Sequence, residues 1–242
     1  MRMLLPDRSE DLSPADLAAA YPWPEAPWLR VNMVTSADGH ATGTDHRSGG
    51  ISRPSDRALM HVLRAGCDAV LVGAGTVRAE HYRAPRRDDA VASERLAQGR
   101  TPTHRIAVVS RSGRLDPLLP VVAEASDDAR PLLLTTRAAI DSGAPADLAG
   151  RVEVVACGDD AVDLPSALAA LHARDLVRVL GEGGPSLLRD LLAADLVDEL
   201  DLTWSPVLVG GDGPRIVEGP LLPDAPVGMR VVQVLEDDGM LA

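Results

Sequence analysis

The segment Asp68-Ala-Val-Leu-Val-Gly-Ala-Gly-Thr-Val-Arg-Ala-Glu80 decides the fold of this chain. Its apolar run predicts a buried β-strand that stops at a glycine-punctuated turn, and the turn opens directly into a helix. The first backbone N–H groups of a helix have no intrahelical partner and lie at the positive end of its dipole, so a phosphate can bind there. Gly73 and Gly75 let the backbone approach such a ligand closely. Taken alone, the same residues also describe an ordinary tight strand-to-helix turn.

Two familiar motifs are excluded at this turn. Arg78 occupies the position at which a Rossmann turn has its third glycine, and the chain contains no lysine, which a Walker P-loop requires. The lack of lysine also excludes a Schiff-base mechanism through a lysine side chain.

A second turn of the same kind follows later in the chain. Leu176-Val-Arg-Val-Leu180 reads as a buried strand, Gly181-Glu-Gly-Gly184 as the turn, and Pro185 as the first residue of a helix. Proline is favoured at that position because its missing N–H would be unpaired anyway. Glu182 is unusual beside a phosphate site, and two interpretations stay open: it caps the helix, or it points at a hydroxyl or amine of a ligand.

The composition limits the classes of function. The 242 residues, 45% of them hydrophobic, suffice for one large α/β domain. A net charge of −12 and an aromatic content of 2% argue against binding of nucleic acid or of an anionic membrane surface, so a bound phosphate must be held locally. No apolar run approaches the length of a membrane span. Cys67 and Cys157 form no metal-binding or disulfide pattern, so we expect no metal site and a cytoplasmic location.

From residue 29 onward, predicted strands and helices alternate. This alternation favours a mostly parallel sheet with helices on both faces. The last two strands, of which the final one is predicted at residues 230–235, have no clear helix between them, so an antiparallel edge is expected there. The proline-punctuated residues 1–28 read as an N-terminal arm laid over the domain, and the arginine-rich residues 80–103 as a long mobile loop.

Three further segments carry polar groups suited to a ligand. Asn32-Met-Val-Thr-Ser-Ala-Asp-Gly39 ends a predicted strand in a Ser-x-Asp-Gly turn. A predicted helix carries Arg57, His61 and Arg64 on one face. Val109-Ser-Arg-Ser-Gly-Arg114 places hydroxyl and guanidinium groups after a strand, as they would converge on a phosphomonoester. Each segment alone is more often a solvated loop or helix face.

Together and in this order, the segments resemble the reductase domain of riboflavin biosynthesis, the pyrimidine reductase family with a dihydrofolate-reductase-like fold. The matching segments are Thr35-Ser-Ala-Asp-Gly39, Leu63-Arg-Ala65, Val72-Gly-Ala-Gly-Thr-Val-Arg-Ala79, Glu182-Gly-Gly-Pro185, Leu196-Val-Asp-Glu-Leu200 and Pro206-Val-Leu-Val-Gly-Gly211. The chain looks most like stand-alone actinobacterial members, because the His-x-Glu and Pro-Cys-x-x-Cys signature of the zinc deaminase domain is absent. The resemblance implies a single three-layer α/β reductase domain over residues 29–242.

The resemblance also implies the chemistry, which is hydride transfer from NADPH to the ring-opened imine of a ribosylamino-pyrimidine phosphate of the 5-amino-6-ribosylaminouracil type. The implied cofactor contacts are Ser36, Gly73, Gly75, Thr76, Val77, Ser110, Arg111, Gly183, Gly184 and Pro185, with Ser110 and Arg111 at the 2′-phosphate. The implied substrate contacts are Asn32, Ser48 and Arg64, the last two at the substrate phosphate. Catalytic roles are expected for Asp38, Glu80, His81 and Glu182. A homodimer is implied as well.

One departure from the family pattern leaves the substrate open. Glu80-His81-Tyr82 stands where the family usually has Asp-Asp-Pro, and Asn32 replaces a lysine that is common in bacterial members. Glutamate is one methylene longer than aspartate, and His81 brings a group that titrates near neutrality. A dihydrofolate- or pteridine-type C=N reductase on the same fold therefore remains an alternative, as does a non-catalytic nucleotide-binding protein. A pure nucleotide binder, however, needs no substrate-side phosphate clamp.

Overall fold

The computed structural model describes residues 1–223 and 225–242, and in this part of the chain one ten-stranded sheet organises the fold. Its strands are β1 Arg2–Leu5, β2 Trp28–Ser36, β3 Ala69–Gly73, β4 Arg105–Val109, β5 Leu132–Thr135, β6 Glu153–Ala156, β7 Arg178–Gly181, β8 Glu199–Ser205, β9 Val234–Asp237 and β10 Met240–Leu241. Their order is β1-β9-β10-β8-β2-β7-β3-β4-β5-β6. Pairing is parallel from β8 to β6 and antiparallel from β1 to β8, which confirms the predicted mixed sheet and its antiparallel edge.

Helices cover both faces of this sheet. They are α1 Pro14–Ala20, α2 Pro54–Gly66, α3 Ala74–Ala79, α4 Asp89–Ala97, α5 Pro120–Ala123, α6 Arg137–Asp141, α7 Leu164–His172 and α8 Pro185–Ala193. Because side chains alternate along a strand, Val70 and Val72 join a core with α1 and α2, whereas Ala69 and Leu71 join a core with α7 and α8. The predicted three-layer fold is confirmed. Among the described residues, no helix is long and apolar enough to cross a membrane.

The strand predicted at residues 230–235 is wrong in its bounds, because β9 begins only at Val234. The residues before it are apolar but exposed, with Met229 and Val231 at 72% and 71%. Asp238 and Gly239, both at positive φ, then turn the chain from β9 into β10. An Asp-Gly pair is a favoured two-residue hairpin turn, so the hairpin has a local cause.

The loop predicted at residues 80–103 is wrong in part, because α4 forms within it. The side chain of Asp88 caps the helix. Its most deeply buried charged residue is Arg95, whose guanidinium donates to the carbonyl oxygens of Ala65, Cys67 and Thr101. An arginine thus anchors α4 where an apolar side chain usually would, and the segment shows little apolar periodicity.

The first 28 residues take more part in the fold than an arm laid over the domain. Strand β1 pairs with β9 at the edge of the sheet, and Met1 contributes its amino group to an ion pair with Asp237. Leu17 and Tyr21 are buried in the core on the α2 face of the sheet.

Candidate active site

A cavity of about 1170 Å³ lies between α2, the segment around α4 and the α2 face of the sheet. Asn32 and Val34 of β2 reach it from the floor, and Ile106 of β4 lines it further along. Asn32 and Val34 share a face because alternate residues of a strand point the same way. Both glycine turns border the same cavity, so two of the predicted ligand-binding features lie at one cleft.

The two glycine turns lie side by side because β3 and β7 are parallel neighbours. The N–H of Gly73 donates to the carbonyl oxygen of Gly183 at 3.0 Å, which ties the turns together. Gly183 has a φ of +87°, a conformation that favours glycine. A Cβ atom on Gly184 would lie 2.6 Å from Oγ1 of Thr76. The turns are therefore built to keep backbone, not side chains, against the cleft.

No side chain caps either helix that follows these turns. In α8, Pro185 has no N–H, so Ser186 and Leu187 carry the next unpaired backbone donors. Gly184 and these three residues all line the cavity. Unpaired N–H groups at the positive end of a helix dipole suit a phosphate ligand.

Glu182 does not cap α8, so that interpretation is wrong; two side chains from other elements hold its carboxylate. Arg64 of α2 donates from Nε to Oε1 at 2.7 Å and from Nη2 to Oε2 at 2.6 Å. Tyr82, which follows α3, donates its hydroxyl to Oε2 at 2.6 Å. Burial by itself raises the pKa of Glu182, but the charge and hydrogen bonds of Arg64 and the Tyr82 hydroxyl bring the pKa below its ordinary value. Glu182 is thus an ionised carboxylate in the cavity wall.

This ion pair changes the interpretation of Arg64, whose charge is neutralised by Glu182 and is not free for a substrate phosphate. Burial lowers the pKa of Arg64, but Glu182 raises it more, so the guanidinium stays protonated. Arg57, His61 and Arg86 also line the cavity, and within residues 1–223 and 225–242 none of the three forms an ion pair. They are three of the basic side chains open to a ligand; among the described residues, His46 and His81 also line the cavity without an ion pair.

Ser48, Glu80 and His81, which the sequence analysis assigns to the site, line the cavity. The backbone N–H of Ser48 donates to Oε1 of Glu80 at 2.7 Å, so this carboxylate orders the loop that contains Ser48. His81 is exposed and adopts a φ of 52°. Oδ1 of Asn32 is buried and has no hydrogen-bond partner in the described part of the chain. A buried acceptor without a partner is unfavourable, so a ligand N–H or O–H fits here.

Six predicted residues do not line the cavity; they are Ser36, Asp38, Val77, Ser110, Arg111 and Gly183. Asp38 accepts hydrogen bonds from the Ser36 hydroxyl and from the N–H groups of Gly210 and Val209, and these lower its pKa to about 2. They join the turn after β2 to the segment after β8, a structural use that gives no support to a catalytic role for Asp38. The Val77 side chain belongs to the core, so only its backbone can face a ligand.

Ser110 and Arg111 follow β4, one strand away from the first glycine turn. Gly73 lies opposite Val109 in the parallel pair of β3 and β4, so both residues occupy the same edge of the sheet as the turn. Arg111 is exposed there, whereas Ser110 is buried and lies 3.5 Å from the Ser112 hydroxyl. Their position is adjacent to the cavity but outside it.

Sequence reasoning missed several cavity residues, among them Tyr82, Arg86 and His104. Tyr82 carried a signal, since it departs from the Asp-Asp-Pro pattern of the family. His104, just before β4, carried none. Burial and the nearby Arg64 charge lower the pKa of His104 to about 4, so its imidazole is neutral. Among the described residues, no group of three or more histidine, cysteine or acidic side chains is placed to hold a metal ion.

A cleft beside the carboxyl ends of parallel strands, bordered by glycine turns and an uncapped helix, defines the class of α/β enzymes that bind their ligands at this edge of the sheet. Comparison with known proteins gives the family. Residues 27–240 match the RibD C-terminal domain, and the chain belongs to that family of reductases. It is therefore an oxidoreductase.

Individual relatives agree with this assignment. The chain is 30% identical over 195 residues to a 2,5-diamino-6-ribosylamino-4(3H)-pyrimidinone 5′-phosphate reductase of Archaeoglobus fulgidus, covering 80% of this chain and 87% of the relative. It is 34% identical over 196 residues to the protein of the same name from Methanothermobacter thermautotrophicus, covering 80% and 84%. A crystal structure of a pyrimidine reductase-like protein from Corynebacterium diphtheriae superposes with a TM-score of 0.74 at 28% identity and covers 89% of each chain. The predicted reductase fold is confirmed.

Proposed function

We propose that this protein uses NADPH to reduce a 6-ribosylaminopyrimidine 5′-phosphate to the ribitylamino compound in riboflavin biosynthesis. The observation that carries the proposal is one cavity lined both by the two glycine turns and by basic side chains, Arg57 and Arg86, that form no ion pair in the described part of the chain. The names of the two archaeal relatives support the 2,5-diaminopyrimidinone as substrate, whereas the sequence resemblance suggests the 5-amino-uracil. Both belong to the proposed substrate class.

The residues present fit a dinucleotide cofactor. The uncapped start of α8 offers the N–H groups of Ser186 and Leu187 to a pyrophosphate. A Cβ atom on Gly75 would meet nothing within 4 Å, so this backbone is open to close approach. Ser110 and Arg111, at the same edge of the sheet, would hold the 2′-phosphate that distinguishes NADPH from NADH.

When bound, NADPH supplies a hydride that adds to the imine carbon, while the imine nitrogen takes a proton and NADP⁺ is formed. The chain has to orient the imine and provide that proton. Glu182 is held ionised and Glu80 is bonded to the Ser48 N–H. We therefore assign proton delivery to His81, an imidazole that lines the cavity and is a side chain suited to general acid catalysis.

The substrate phosphate is proposed to bind between Ser48 and the unpaired arginines Arg57 and Arg86. All three line the cavity, and both arginines are exposed enough to reach an incoming anion. Arg64 remains a substrate-side residue, but it acts through its pair with Glu182. An arginine that already donates to both oxygens of a carboxylate has fewer N–H donors left for a second anion.

One comparison separates the candidate functions. Purified protein is titrated with NADPH, and the two ribosylaminopyrimidine phosphates, their dephosphorylated forms and dihydrofolate are then added in separate reactions. The proposal predicts NADPH oxidation with a phosphorylated pyrimidine, at least tenfold slower oxidation with its dephosphorylated form and none with dihydrofolate. Preferential reduction of dihydrofolate would identify a pteridine-type reductase, and NADPH binding without any turnover would identify a nucleotide-binding protein.

We also infer that the protein is a homodimer. Leu208, within the apolar run at residues 207–209, is 80% exposed, and the apolar residues Met229 and Val231 lie exposed in a second segment. Exposed apolar segments near a sheet edge are unfavourable for a lone domain. Light scattering at micromolar concentration should give twice the mass of one chain, and a monomer would contradict this inference.

We infer a cytoplasmic location from the two cysteines. Cys67 and Cys157 are both buried and unpaired, which is compatible with a reducing compartment. Cell fractionation with an antibody against the protein tests the location, and recovery in a secreted fraction would contradict it.

A further inference from the structure

The Glu182 carboxylate is held from two sides by residues that are distant in the chain. Arg64 lies 118 positions before it and Tyr82 lies 100 positions before it. Arg64 comes from the last turn of α2, and Tyr82 follows the end of α3, where its N–H bonds to the carbonyl oxygen of Val77. The backbone N–H of Glu182 donates to Leu71 of β3, so the residue is fixed at its backbone as well.

The acceptor positions of this carboxylate are unequally used. A carboxylate has about four lone-pair positions on its two oxygens. Oε2 accepts from Nη2 of Arg64 and from the Tyr82 hydroxyl, each at 2.6 Å, whereas Oε1 accepts only from Nε of Arg64 at 2.7 Å. Glu182 also lines the cavity, with its side chain 4% exposed. One acceptor position on Oε1 is therefore left for a donor inside the cleft.

We propose that Tyr82 is a positioning residue whose hydroxyl, together with Arg64, fixes Glu182 as a hydrogen-bond acceptor for an N–H or O–H group of the substrate. This rests on the proposed function for the identity of the substrate. Tyr82 itself does not act on the reacting atoms. Its ring packs against the core on the α2 face and under the Arg64 guanidinium, 5.6 Å from the ring centre, which keeps the hydroxyl in place.

The other titratable groups around Glu182 do not replace Tyr82. His104, before β4, is neutral, and burial raises the pKa of the Cys67 thiol to about 12, so neither is charged at neutral pH. Glu80 faces Tyr82 and helps burial and Glu182 to raise the pKa of the tyrosine hydroxyl, which therefore stays protonated. In the described part of the chain, the hydrogen-bond donors on the Glu182 side chain are Arg64 and Tyr82.

The first test measures Glu182 directly and needs no substrate. The full-length protein is labelled with ¹³C at the glutamate carboxyl carbons, and the Glu182 resonance is identified by its loss in Glu182→Gln. Tyr82→Phe removes only the hydroxyl, so the titration midpoint of Glu182 should move upward. Tyr21→Phe is the matched control, because it removes the same atom from the other tyrosine of the chain, which is buried away from the cavity. It should leave the midpoint unchanged.

A second measurement strengthens the bond instead of deleting it, in case Tyr82→Phe does not fold. Incorporating 3-fluorotyrosine into the Tyr21→Phe protein makes the Tyr82 hydroxyl a stronger donor, and the Glu182 midpoint should then move downward. A Glu182 midpoint that stays the same in both Tyr82 experiments, or that moves equally in Tyr21→Phe, overturns the proposal.

Kinetics test the substrate contact. Tyr82→Phe should raise the Michaelis constant for the phosphorylated pyrimidine about tenfold, the size of one charge-assisted hydrogen bond, and leave the dissociation constant of NADPH unchanged. In the Glu182→Gln background, the same change should have less than about a twofold effect, because the two residues act through one bond. Equal effects in both backgrounds overturn the proposed role. If the unmodified protein reduces no ribosylaminopyrimidine phosphate, the proposed function fails, while the carboxyl titration still decides whether Tyr82 fixes Glu182.

Discussion

Arg64 and Glu182 form an ion pair whose acidic partner is almost withdrawn from solvent, with side-chain exposures of 27% and 4%. Such a pair contributes little net stability as a whole, but loss of one partner leaves an uncompensated buried charge. The bidentate geometry adds direction to the interaction, because guanidinium and carboxylate groups match each other in two parallel hydrogen bonds. Arg64 is therefore a structural residue as well as part of the proposed substrate side of the cleft.

Replacing Arg64 with alanine should lower the free energy of unfolding by about 3 kcal/mol or more, because Glu182 is left buried without its cation. Arg57→Ala is the matched control from the same helix face, and it should change stability by less than about 0.5 kcal/mol. Urea unfolding followed by circular dichroism measures both variants. Arg57→Ala should instead raise the Michaelis constant for the phosphorylated substrate. Equal stability of the two variants would contradict the importance of the ion pair.

Arg111 decides the cofactor preference in the proposed site. We expect the unmodified protein to bind NADPH more tightly than NADH, since each charge-assisted hydrogen bond to the 2′-phosphate contributes about 1.5 to 3 kcal/mol. Arg111→Ala should remove most of this preference and leave NADH affinity unchanged. Fluorescence titration of both cofactors is the measurement. Equal affinity for NADPH and NADH in the unmodified protein would end the assignment of Ser110 and Arg111.

At the scale of elements, the succession of β3, Gly73 and α3 forms the proposed cofactor side of the cleft. Gly75→Ala places a methyl group where no protein atom lies within 4 Å, and alanine favours a helix by up to about 1 kcal/mol over glycine. The variant should thus be at least as stable as the unmodified protein, yet bind NADPH at least tenfold more weakly. Gly49→Ala, which also points into open space but from the loop of Ser48, should keep NADPH affinity. Unchanged affinity in Gly75→Ala would remove this turn from the cofactor site.

The pair of β2 and β8 contains a carboxyl group with a pH-dependent role. Burial raises the pKa of Asp201, Arg30 opposes the rise and Glu199 adds to it, giving about 7. Between the ordinary aspartate value and about pH 7, the folded protein holds a proton that the unfolded chain has lost, so stability falls as pH rises through this range. Asp201→Asn cannot lose that proton. The difference between its melting temperature and that of the unmodified protein should increase from about pH 5 to about pH 8. A constant difference would contradict the assignment.

The elements differ in how far their sequence determines them. Strand β3 and helix α8 were predictable because local apolar patterns and turn residues agree with their final environment. Helix α4 was not, because Arg95 fills the buried position through hydrogen bonds to carbonyl groups. The cofactor side of the site follows from local turns in the same way. The Glu182 cluster does not follow from local sequence. Its partners Arg64 and Tyr82 lie 118 and 100 positions away in the chain, and only the packed sheet brings them together.

At the scale of the whole molecule, the two faces of the sheet differ in what they carry. One face carries the core formed with α7 and α8, and the opposite face combines the core formed with α1 and α2 with most of the cavity. The chain carries a net charge of −12, and yet Arg57 and Arg86 lie at this cavity without an ion pair among the described residues. A few unpaired cationic side chains in one cleft of an acidic protein favour a small anionic ligand over a nucleic acid.

Hydride transfer to the pyrimidine substrate can be followed with an isotope label. NADPH carrying deuterium at the transferred position is incubated with the protein and each ribosylaminopyrimidine phosphate, and the product is analysed by mass spectrometry. We expect one deuterium in the ribitylamino product, on the carbon bonded to the amino nitrogen, with one NADPH oxidised for each product molecule. NADPH that binds but is not oxidised with either pyrimidine, or a product without deuterium, would contradict the proposed function.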